Sequence, residues 1–177
     1  MKLYTGRGDG GETDTLGLGR VLKDSPIAEL LGNIDELTSS IGVAISFIGP
    51  GKLADTLSEL QNRLFRASAE VASSPAKKVK SIDSSDLEWL EKETDSISNR
   101  LPKLKKFVMP GRNPESALLH LSRAVARRAE RSAVAASKSS EISPEMLAFM
   151  NRTSSLLFAC ALLSNKNKGV KEKNPSY

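Results

Sequence analysis

Hydrophobic side chains recur along most of the chain with the 3.6-residue period of amphipathic helices. The first series is Ile27, Leu30, Leu31, Ile34, Leu37, Ile41, Ile45 and Ile48. It starts after Ser25-Pro26, a capping residue followed by a proline suited to the first helical position, and stops at Gly49-Pro50-Gly51. A second series follows at Leu53, Leu57, Leu60, Leu64 and Val71. The pattern therefore predicts one helix from Pro26 to these glycines and another over about residues 52–72.

Three further helices are predicted from the residues at their ends. The third opens with a capping box at Ser85-Asp86-Leu87-Glu88 and is halted by Pro102. Asn113-Pro114 and Ser143-Pro144 each place a capping residue before a proline, so they open the fourth and fifth helices. No segment alternates convincingly with the period of a strand, and residues 107–111 form at most a short extended piece. The expected fold is an all-α bundle of five helices.

The length and the placement of glycine indicate a single domain with three parts. A chain of 177 residues fits one hydrophobic core. Residues 5–19 contain six of the twelve glycines, so residues 1–24 are expected to form a glycine-rich loop that folds around a ligand or stays mobile. Residues 25–165 are expected to form the bundle, and residues 166–177, rich in Lys and Asn, a flexible tail.

Several classes of protein are excluded or disfavoured by composition. The longest uninterrupted apolar run, Leu156 to Leu163, is far shorter than the roughly 20 residues of a bilayer-spanning helix. Neither a membrane span nor a secretory signal is expected, which predicts a cytoplasmic protein. Cys160 and His120 are the only residues of their kinds. A disulfide within the chain, an ordinary zinc site and a di-iron bundle are therefore ruled out.

Positive charge is concentrated in one part of the chain. The net charge is +5, yet residues 103–138 alone hold nine Lys and Arg against two acidic residues. A local excess of this size favours an anionic partner, either a polyphosphate or a nucleic acid. The plain alternative is a solvated helix face.

The predicted fourth helix carries a polar stripe. Its members are Ser116, His120, Arg123, Arg127 and Glu130, which are spaced by four, three, four and three residues and so share one face. Two guanidinium groups about one turn apart could hold a polyphosphate by bidentate contacts. The alternative is a ladder of ion pairs within the helix, worth a few tenths of a kcal/mol per pair. On the fifth helix Asn151 is either an amide that specifies the core or a ligand contact.

Four separated blocks of the sequence resemble the PduO-type ATP:cob(I)alamin adenosyltransferases, over about residues 3–165. The first block is similar to Y-T-K-T-G-D-x-G-x-T and covers Tyr4 to Thr13, followed by Arg20-Val21-Leu22-Lys23-Asp24. The second runs from Glu29 through Gly32 to Asp35-Glu36-Leu37. The third comprises Phe107-Val108-Met109-Pro110-Gly111 with the arginine block Arg123 to Arg131, and the fourth covers Asn151 to Phe158. Departures from the family pattern occur at Gly6, Arg7, Arg112 and Ser155.

The resemblance implies a fold and an activity. The fold is a five-helix bundle with left-handed up-down packing that assembles as a homotrimer, with active sites between subunits. The activity is transfer of the 5′-deoxyadenosyl group of ATP to the cobalt of reduced cobalamin, which forms adenosylcobalamin and triphosphate. Mg²⁺ is implied as the cofactor. The implied partners are a flavin-type reductase and an adenosylcobalamin-dependent acceptor enzyme, with no role for nucleic acid or membrane.

The resemblance also implies roles for individual residues. The ATP phosphates would be wrapped by Thr5, Gly8, Asp9, Gly11, Thr13 and Lys23. Mg-ATP and its adenosine would be held by Arg127, Glu130 and Asn151, with Glu130 near the Mg²⁺. Arg123 would pair with Asp35 beside the corrin, and these two complete the implied catalytic set with Arg127 and Glu130. Phe107 and Phe158 would crowd the lower face of the corrin and remove its axial ligand. Without the resemblance, ordinary core packing is the simpler interpretation of both phenylalanines.

A second class of function competes with the enzyme. The basic segment is also compatible with a helical module that binds nucleic acid or another protein without catalysis. The chain contains only five Phe, two Tyr and one Trp, and none of them interleaves with the arginines of the fourth helix. Stacking platforms for single strands are therefore missing, which disfavours nucleic acid as the partner.

Overall fold

Five α-helices make up most of the chain in this computed structural model, which describes residues 2–74 and 79–176. They are α1 (Pro26–Ile48), α2 (Lys52–Val71), α3 (Ser84–Ser98), α4 (Pro114–Ala136) and α5 (Pro144–Asn167). Helix α4 packs on both α1 and α5, while α2 lies against α1 and α3 against α5. The predicted number and order of helices are confirmed.

Three of the predicted helix starts are confirmed by their hydrogen bonds. Ser25 caps α1 by accepting a bond from the backbone N–H of Ala28 at 3.3 Å. Asn113 and Ser143 cap α4 and α5 in the same way, at 3.0 and 3.1 Å. Each cap precedes a proline whose missing N–H is not needed in the first turn. These signals are local, so sequence alone suffices to read them.

The predicted start of α3 is wrong by two residues. The cap is Asp83, whose side chain accepts a bond from the backbone N–H of Ser85, while Asp86 accepts one from the backbone N–H of Asp83 at 3.1 Å. Ser85 thus lies inside the helix that it was expected to cap. The helix also ends at Ser98 rather than at Pro102, because the next residues form turns toward the proline.

A small hairpin in the glycine-rich segment corrects the all-α prediction. Strands β1 (Glu12–Asp14) and β2 (Arg20–Leu22) pair antiparallel with Thr13 opposite Val21. The turn between them depends on Gly19, which has a φ of 77° and whose carbonyl accepts a bond from the Thr15 backbone at 2.9 Å. Strands of three residues are too short to show alternation in the sequence.

The core lies where α4 and α5 meet the other helices. Helix α4 contributes small, fully buried residues, namely Ala126, Ala129, Ala133 and Ala136. Larger side chains such as Phe149, Leu30 and Leu60 fill the remaining space. Helix α5 is the one described helix long and apolar enough to span a bilayer, but 67% of its most apolar stretch is buried within the bundle. That burial is what a core helix of a bundle requires.

The segment after α5 has defined contacts, and α5 itself extends to Asn167, beyond the predicted boundary at residue 165. Gly169, with a φ of 65°, ends the helix in a Schellman motif in which the backbone N–H of Val170 bonds to the carbonyl of Asn165 at 2.9 Å. The chain then turns back toward residues 107–112. There the backbone N–H of Met109 donates to the carbonyl of Lys173 at 2.7 Å. How flexible the tail is in solution stays a prediction.

A buried ionic cluster joins α2 to α3. The carboxylate of Asp86 is fully buried and accepts hydrogen bonds from Arg63 and Arg66. The guanidinium of Arg63 also lies 4.3 Å from the centroid of the Trp89 ring. Such a pairing is required once the charges are buried, because an unpaired buried ion is strongly destabilising.

We predict that Asp86→Ala lowers the free energy of unfolding by about 3–5 kcal/mol. The variant removes the buried carboxylate that Arg63 and Arg66 share, and it leaves Arg63 with only the partly exposed Glu59 as an acidic partner among the described residues. Urea denaturation measures the loss. The matched control is Glu91→Ala, which removes the exposed Arg152–Glu91 ion pair between α3 and α5 and should cost about 0–1 kcal/mol. Equal costs for the two variants would show that the buried cluster does not hold α3 in place.

Candidate functional site

A cleft of about 950 Å³ lies between the segment before α4 and the facing sides of α4 and α5. Its lining includes Phe107, Arg123, Arg127 and Phe158, which belong to the third and fourth blocks of the sequence. The fold therefore brings three of the four predicted corrin residues and one predicted ATP ligand to one cavity, while Asp35 does not line it. Ser155, a departure from the family pattern, also lines it.

The charges around the cleft are all of one sign. Its charged lining residues are Lys105, Lys106, Arg123 and Arg127, with no acidic residue among them. Like charges facing one cavity repel each other, so they gain from an anionic ligand. Four of the nine basic residues of the segment therefore line the cavity, and the segment is not a uniformly solvated face.

The two phenylalanines differ in their surroundings. Phe107 is 79% exposed, so the core-packing interpretation is wrong for this residue. Phe158 is partly buried and packs edge-to-face on His120, with ring centroids 5.8 Å apart at an interplanar angle of 61°. One aromatic ring therefore stands free at the rim of the cleft, and the other forms part of its wall.

Arg127, Glu130 and Asn151 form a surface cluster beside the cleft. Nη1 of Arg127 lies 2.8 Å from Oε2 of Glu130, and Asn151 of α5 donates to Oε1 of Glu130 at 2.6 Å. The predicted ion pair within the helix exists, but the Arg127 side chain is 48% exposed, so the pair adds little stability. Asn151 is exposed, so the interpretation of its amide as a core-specifying group is wrong.

The implied pair of Arg123 with Asp35 does not form within one chain. Asp35 is exposed on α1, and the buried Nε of Arg123 has no hydrogen-bond partner. The arginine that reaches α1 is Arg128, which donates to Oδ1 of Asn33 at 2.8 Å and pairs with Glu36. Successive helical positions point about 100° apart, so Asp35 does not share the face of Asn33 and Glu36 that α4 meets.

The glycine-rich loop folds into a compact turn before the hairpin. The backbone N–H groups of Asp9 and Gly11 bond to the carbonyls of Gly6 and Gly8, at 3.2 and 3.3 Å. A Cβ atom at Gly8 would lie 3.2 Å from Nζ of Lys23, so a side chain there would crowd the amine. Gly8, Asp9, Gly11 and Lys23 are thereby brought together as predicted, while Thr5 and Thr13 lie on the chain at either side.

Arg7 occupies this loop near the place of the family's lysine. Its guanidinium is paired with Asp14 at 3.2 Å, and both side chains are more than half exposed. Its carbonyl accepts a bond from Arg20 at 2.8 Å. An exposed pair of this kind is weak, so the charge of Arg7 can be redirected to an anion at little cost.

The loop and the arginine stripe remain apart. Among the described residues, no hydrogen bond or ion pair joins the predicted phosphate residues of the loop to Arg127, Glu130 or Asn151. The hairpin is tied to the bundle instead by the backbone N–H of Gly17, which donates to the carbonyl of Ala72 at 2.9 Å. One chain thus presents two separate half-sites for the predicted nucleotide.

His120 and Pro175 are among the lining residues of the cleft to which the sequence assigned no role. His120 is only 4% exposed, and neither of its ring nitrogens has a hydrogen-bond partner among the described residues. Loss of hydration, and then the charge of Arg123, lower the pKa of His120 below its usual value, which favours the neutral ring. Pro175 reaches the cleft from the tail. No local signal could have placed Pro175 there, because its position depends on the reversal at Gly169.

Known proteins similar to this chain include several corrinoid adenosyltransferases. A model of the cobalamin adenosyltransferase family matches residues 3–164. A corrinoid adenosyltransferase of Bacillus subtilis is 39% identical over 174 residues, covering 96% of this chain and 90% of that protein. One from Mycobacterium leprae is 37% identical over 179 residues, covering 96% and 94%.

Solved structures with the same fold carry ligands. A phenylalanine-to-alanine variant of a PduO-type ATP:corrinoid adenosyltransferase from Lactobacillus reuteri, complexed with cobalamin and ATP, superposes with a TM-score of 0.92. It is 30% identical and covers 99% of this chain and 100% of that chain. An arginine-to-lysine variant of the L. reuteri enzyme, complexed with ATP, gives a TM-score of 0.91 at 30% identity, covering 98% and 100%.

We predict that Phe107→Ala leaves the free energy of unfolding unchanged within about 0.5 kcal/mol, because the ring makes little contact with the core. Phe149→Ala, at a fully buried ring, is the matched control and should cost about 3–5 kcal/mol. Thermal and urea melts of both variants provide the comparison. A cost above 2 kcal/mol for Phe107→Ala would return Phe107 to a structural role.

Proposed function

Since this chain belongs to the cobalamin adenosyltransferase family, we propose that its active site is completed between neighbouring subunits of a homotrimer. The reaction is transfer of the 5′-deoxyadenosyl group of ATP to the cobalt of reduced cobalamin, giving adenosylcobalamin and triphosphate. The alternative of a basic module without catalysis is not favoured. One small bundle must then form a site for two large substrates.

The separation of the loop from the arginine stripe carries this proposal. Both groups belong to the predicted ATP site, yet they do not meet within a chain. In a closed ring of three subunits, the loop of one subunit can face the stripe of the next. We infer that Asp35 of one subunit pairs with Arg123 of another in the same ring, since Asp35 is exposed and the buried Nε of Arg123 has no partner in its own chain.

Exposed apolar side chains support a subunit interface on the same helices. Val43 and Phe47 of α1 and Leu121 of α4 are each about half exposed. Apolar side chains on neighbouring helices that remain uncovered in a monomer mark a surface for association. Burial of these residues would bring α1 and α4 of one subunit against another subunit.

The reaction needs no protein nucleophile, because cobalt(I) itself attacks the 5′ carbon of ATP. The protein must position the two substrates, stabilise the leaving triphosphate and exclude water. The backbone N–H of Gly8 and the amine of Lys23 suit the phosphates, whereas the N–H of Gly11 is bonded to the carbonyl of Gly8 and supports the turn. The guanidinium of Arg127 has nitrogens beyond Nη1 that make no bond to the described residues and can bind phosphate oxygens.

The residues present fit a Mg²⁺ ion that is held mainly by ATP. The described residues contain no group of three or more His, Cys, Asp or Glu that could hold a metal alone. Oε2 of Glu130 lies near Arg127 but receives no hydrogen bond of good geometry. Mg²⁺ commonly takes one or two carboxylates together with substrate phosphates, and Glu130 offers one such oxygen. The ion would neutralise charge on the triphosphate.

The aromatic cleft suits the corrin. Phe107 and Phe158 line the same cavity, and apolar bulk beneath the cobalt would keep a lower axial ligand away. Loss of that ligand raises the cobalt(II)/cobalt(I) potential, which permits reduction by a flavin-type reductase. The proposal is completed by a cytoplasmic location and by an adenosylcobalamin-dependent enzyme that receives the product.

We predict that two inactive variants restore activity when they are assembled together. Lys23→Ala removes a positive charge from the glycine-rich loop, and Arg127→Ala removes a guanidinium group from the polar stripe of α4. Each variant should lower turnover at least tenfold. When the two variants are co-expressed equally, half of the subunits carry an intact loop and the other half an intact stripe. About a quarter of the shared sites therefore combine an intact loop with an intact stripe. The co-purified mixture should therefore show about a quarter of normal activity.

The control is a mixture of the two variants purified separately and combined without subunit exchange, which should stay inactive. Light scattering should give a mass near three times 19.1 kDa. A monomer at micromolar concentration, or a co-expressed mixture no more active than the single variants, would place the site within one chain.

We also predict that Phe107→Ala separates reduction from transfer. Activity should fall strongly when the assay starts from cobalt(II)alamin with a flavin reductant, because the axial ligand returns and lowers the potential. It should fall much less when cobalt(I) is prepared chemically, and ATP affinity should hardly change. Parallel loss in both assays would contradict a role in tuning the cobalt.

A further inference from the structure

The segment that carries Phe107 has no regular structure of its own. It lies between α3 and α4, and the Phe107 ring is mostly surrounded by solvent. An exposed ring in the middle of an irregular loop has many accessible positions, and restricting them costs conformational entropy. Something outside the loop must therefore fix it if the ring is to exclude an axial ligand from the cobalt.

The tail supplies the bonds that fix this segment. The side-chain amide of Asn174 donates to the carbonyl of Phe107 at 2.7 Å. Two residues further on, the backbone N–H of Met109 donates to the carbonyl of Lys173 at 2.7 Å. Nε of Arg112 donates to the carbonyl of Lys171 at 3.3 Å. Residues 170–176, named the strap from here on, thus contact the loop at Phe107 itself and at two positions that follow it.

The strap is itself anchored to the bundle. The amide of Asn165, a buried residue of α5, donates to Glu172 at 2.8 Å and accepts a bond from Asn113, the cap of α4, at 2.7 Å. The Schellman motif at Gly169 sets the direction in which the strap leaves α5. Pro175 then lines the same cleft as Phe107. A chain of hydrogen bonds therefore runs from two helices through the strap to Phe107.

We propose that the strap positions Phe107 beneath the corrin, and that Asn174 is the positioning residue that holds the Phe107 backbone. This inference rests on the proposed function, in which Phe107 keeps the lower axial ligand away from cobalt. Asn174 touches neither substrate in this scheme and acts only through Phe107. Loss of its amide lets the ring move aside, so water or the axial base returns to cobalt(II).

The test measures the coordination of cobalt(II)alamin bound to the full enzyme in the presence of ATP, by electron paramagnetic resonance and visible spectroscopy. Four- and five-coordinate cobalt(II) give different spectra. Asn174→Ala should lower the ratio of four- to five-coordinate cobalt about three- to tenfold, the effect of one lost hydrogen bond. Deletion of residues 170–177 should lower it further, toward the value of Phe107→Ala.

Lys173→Ala is the matched control, because Lys173 contacts the loop only through its backbone carbonyl and the variant keeps that bond. It should retain the wild-type ratio. Turnover of Asn174→Ala should fall when the assay starts from cobalt(II) and be retained with prepared cobalt(I). Its melting temperature should not change, because the Asn174 side chain is exposed. Should the deletion variant fail to fold, Asn174→Ala still decides the matter.

The possible failures can be told apart. If Phe107→Ala loses four-coordinate cobalt while Asn174→Ala and the deletion keep it, the strap does not position Phe107 and the inference is wrong on its own. If Phe107→Ala also keeps the wild-type ratio, the role of the phenylalanine in the proposed function fails and the inference fails with it. If Asn174→Ala loses activity equally in the assay that starts from cobalt(II) and in the assay with prepared cobalt(I), and its melting temperature falls, the strap has a purely structural role.

Discussion

The close approach of α4 to its neighbours is the constraint on which the site depends. Four alanines on the buried side of α4 fill little space, so the backbone of α4 can lie close to the helices that it meets. At that separation the amide of Asn151 on α5 reaches Glu130 on α4, and Arg128 reaches Asn33 on α1. Larger residues in place of the alanines would push the helices apart and pull these polar contacts out of hydrogen-bond range.

The same helix leaves polar groups unsatisfied in the interior. Ser116 Oγ, both nitrogens of His120 and Nε of Arg123 are buried on one stripe of α4 without partners. Each such group destabilises the fold, since its bonds to water are lost and not replaced. Two of the three residues line the cleft, so the cost falls where a ligand or a neighbouring subunit can supply the missing bonds. Functional sites commonly contain groups of this kind, which destabilise the free protein and gain their partners on binding.

How much could be predicted from the sequence follows from the range of each interaction. The caps at Ser25, Asn113 and Ser143 depend on residues within one turn, and all three were read correctly. Neither the hairpin nor the strap was foreseen, because the hairpin strands are too short to show alternation and the strap depends on contacts between residues far apart in the sequence. At the cleft, the blocks that resemble a known family identified Phe107, Phe158 and Arg127, and the structure brings them together. The Arg123–Asp35 pair could not be assigned to one chain or two, because sequence carries no information on which copy supplies each residue.

An exposed aromatic ring that adds nothing to the fold is best understood through what it can gain on binding. Phe107 keeps most of its ring in water, so the free energy of burying that apolar area is not used in folding. A corrin is a broad, largely flat ring system, and its lower face can cover the phenylalanine when it binds. The gain, on the order of 1–2 kcal/mol for a ring of this exposure, becomes available only when a corrinoid is present. If the ring is held in place beforehand, less of that gain is lost to ordering the loop. The energetic value of the strap therefore lies in the complex with corrin rather than in the stability of the free bundle.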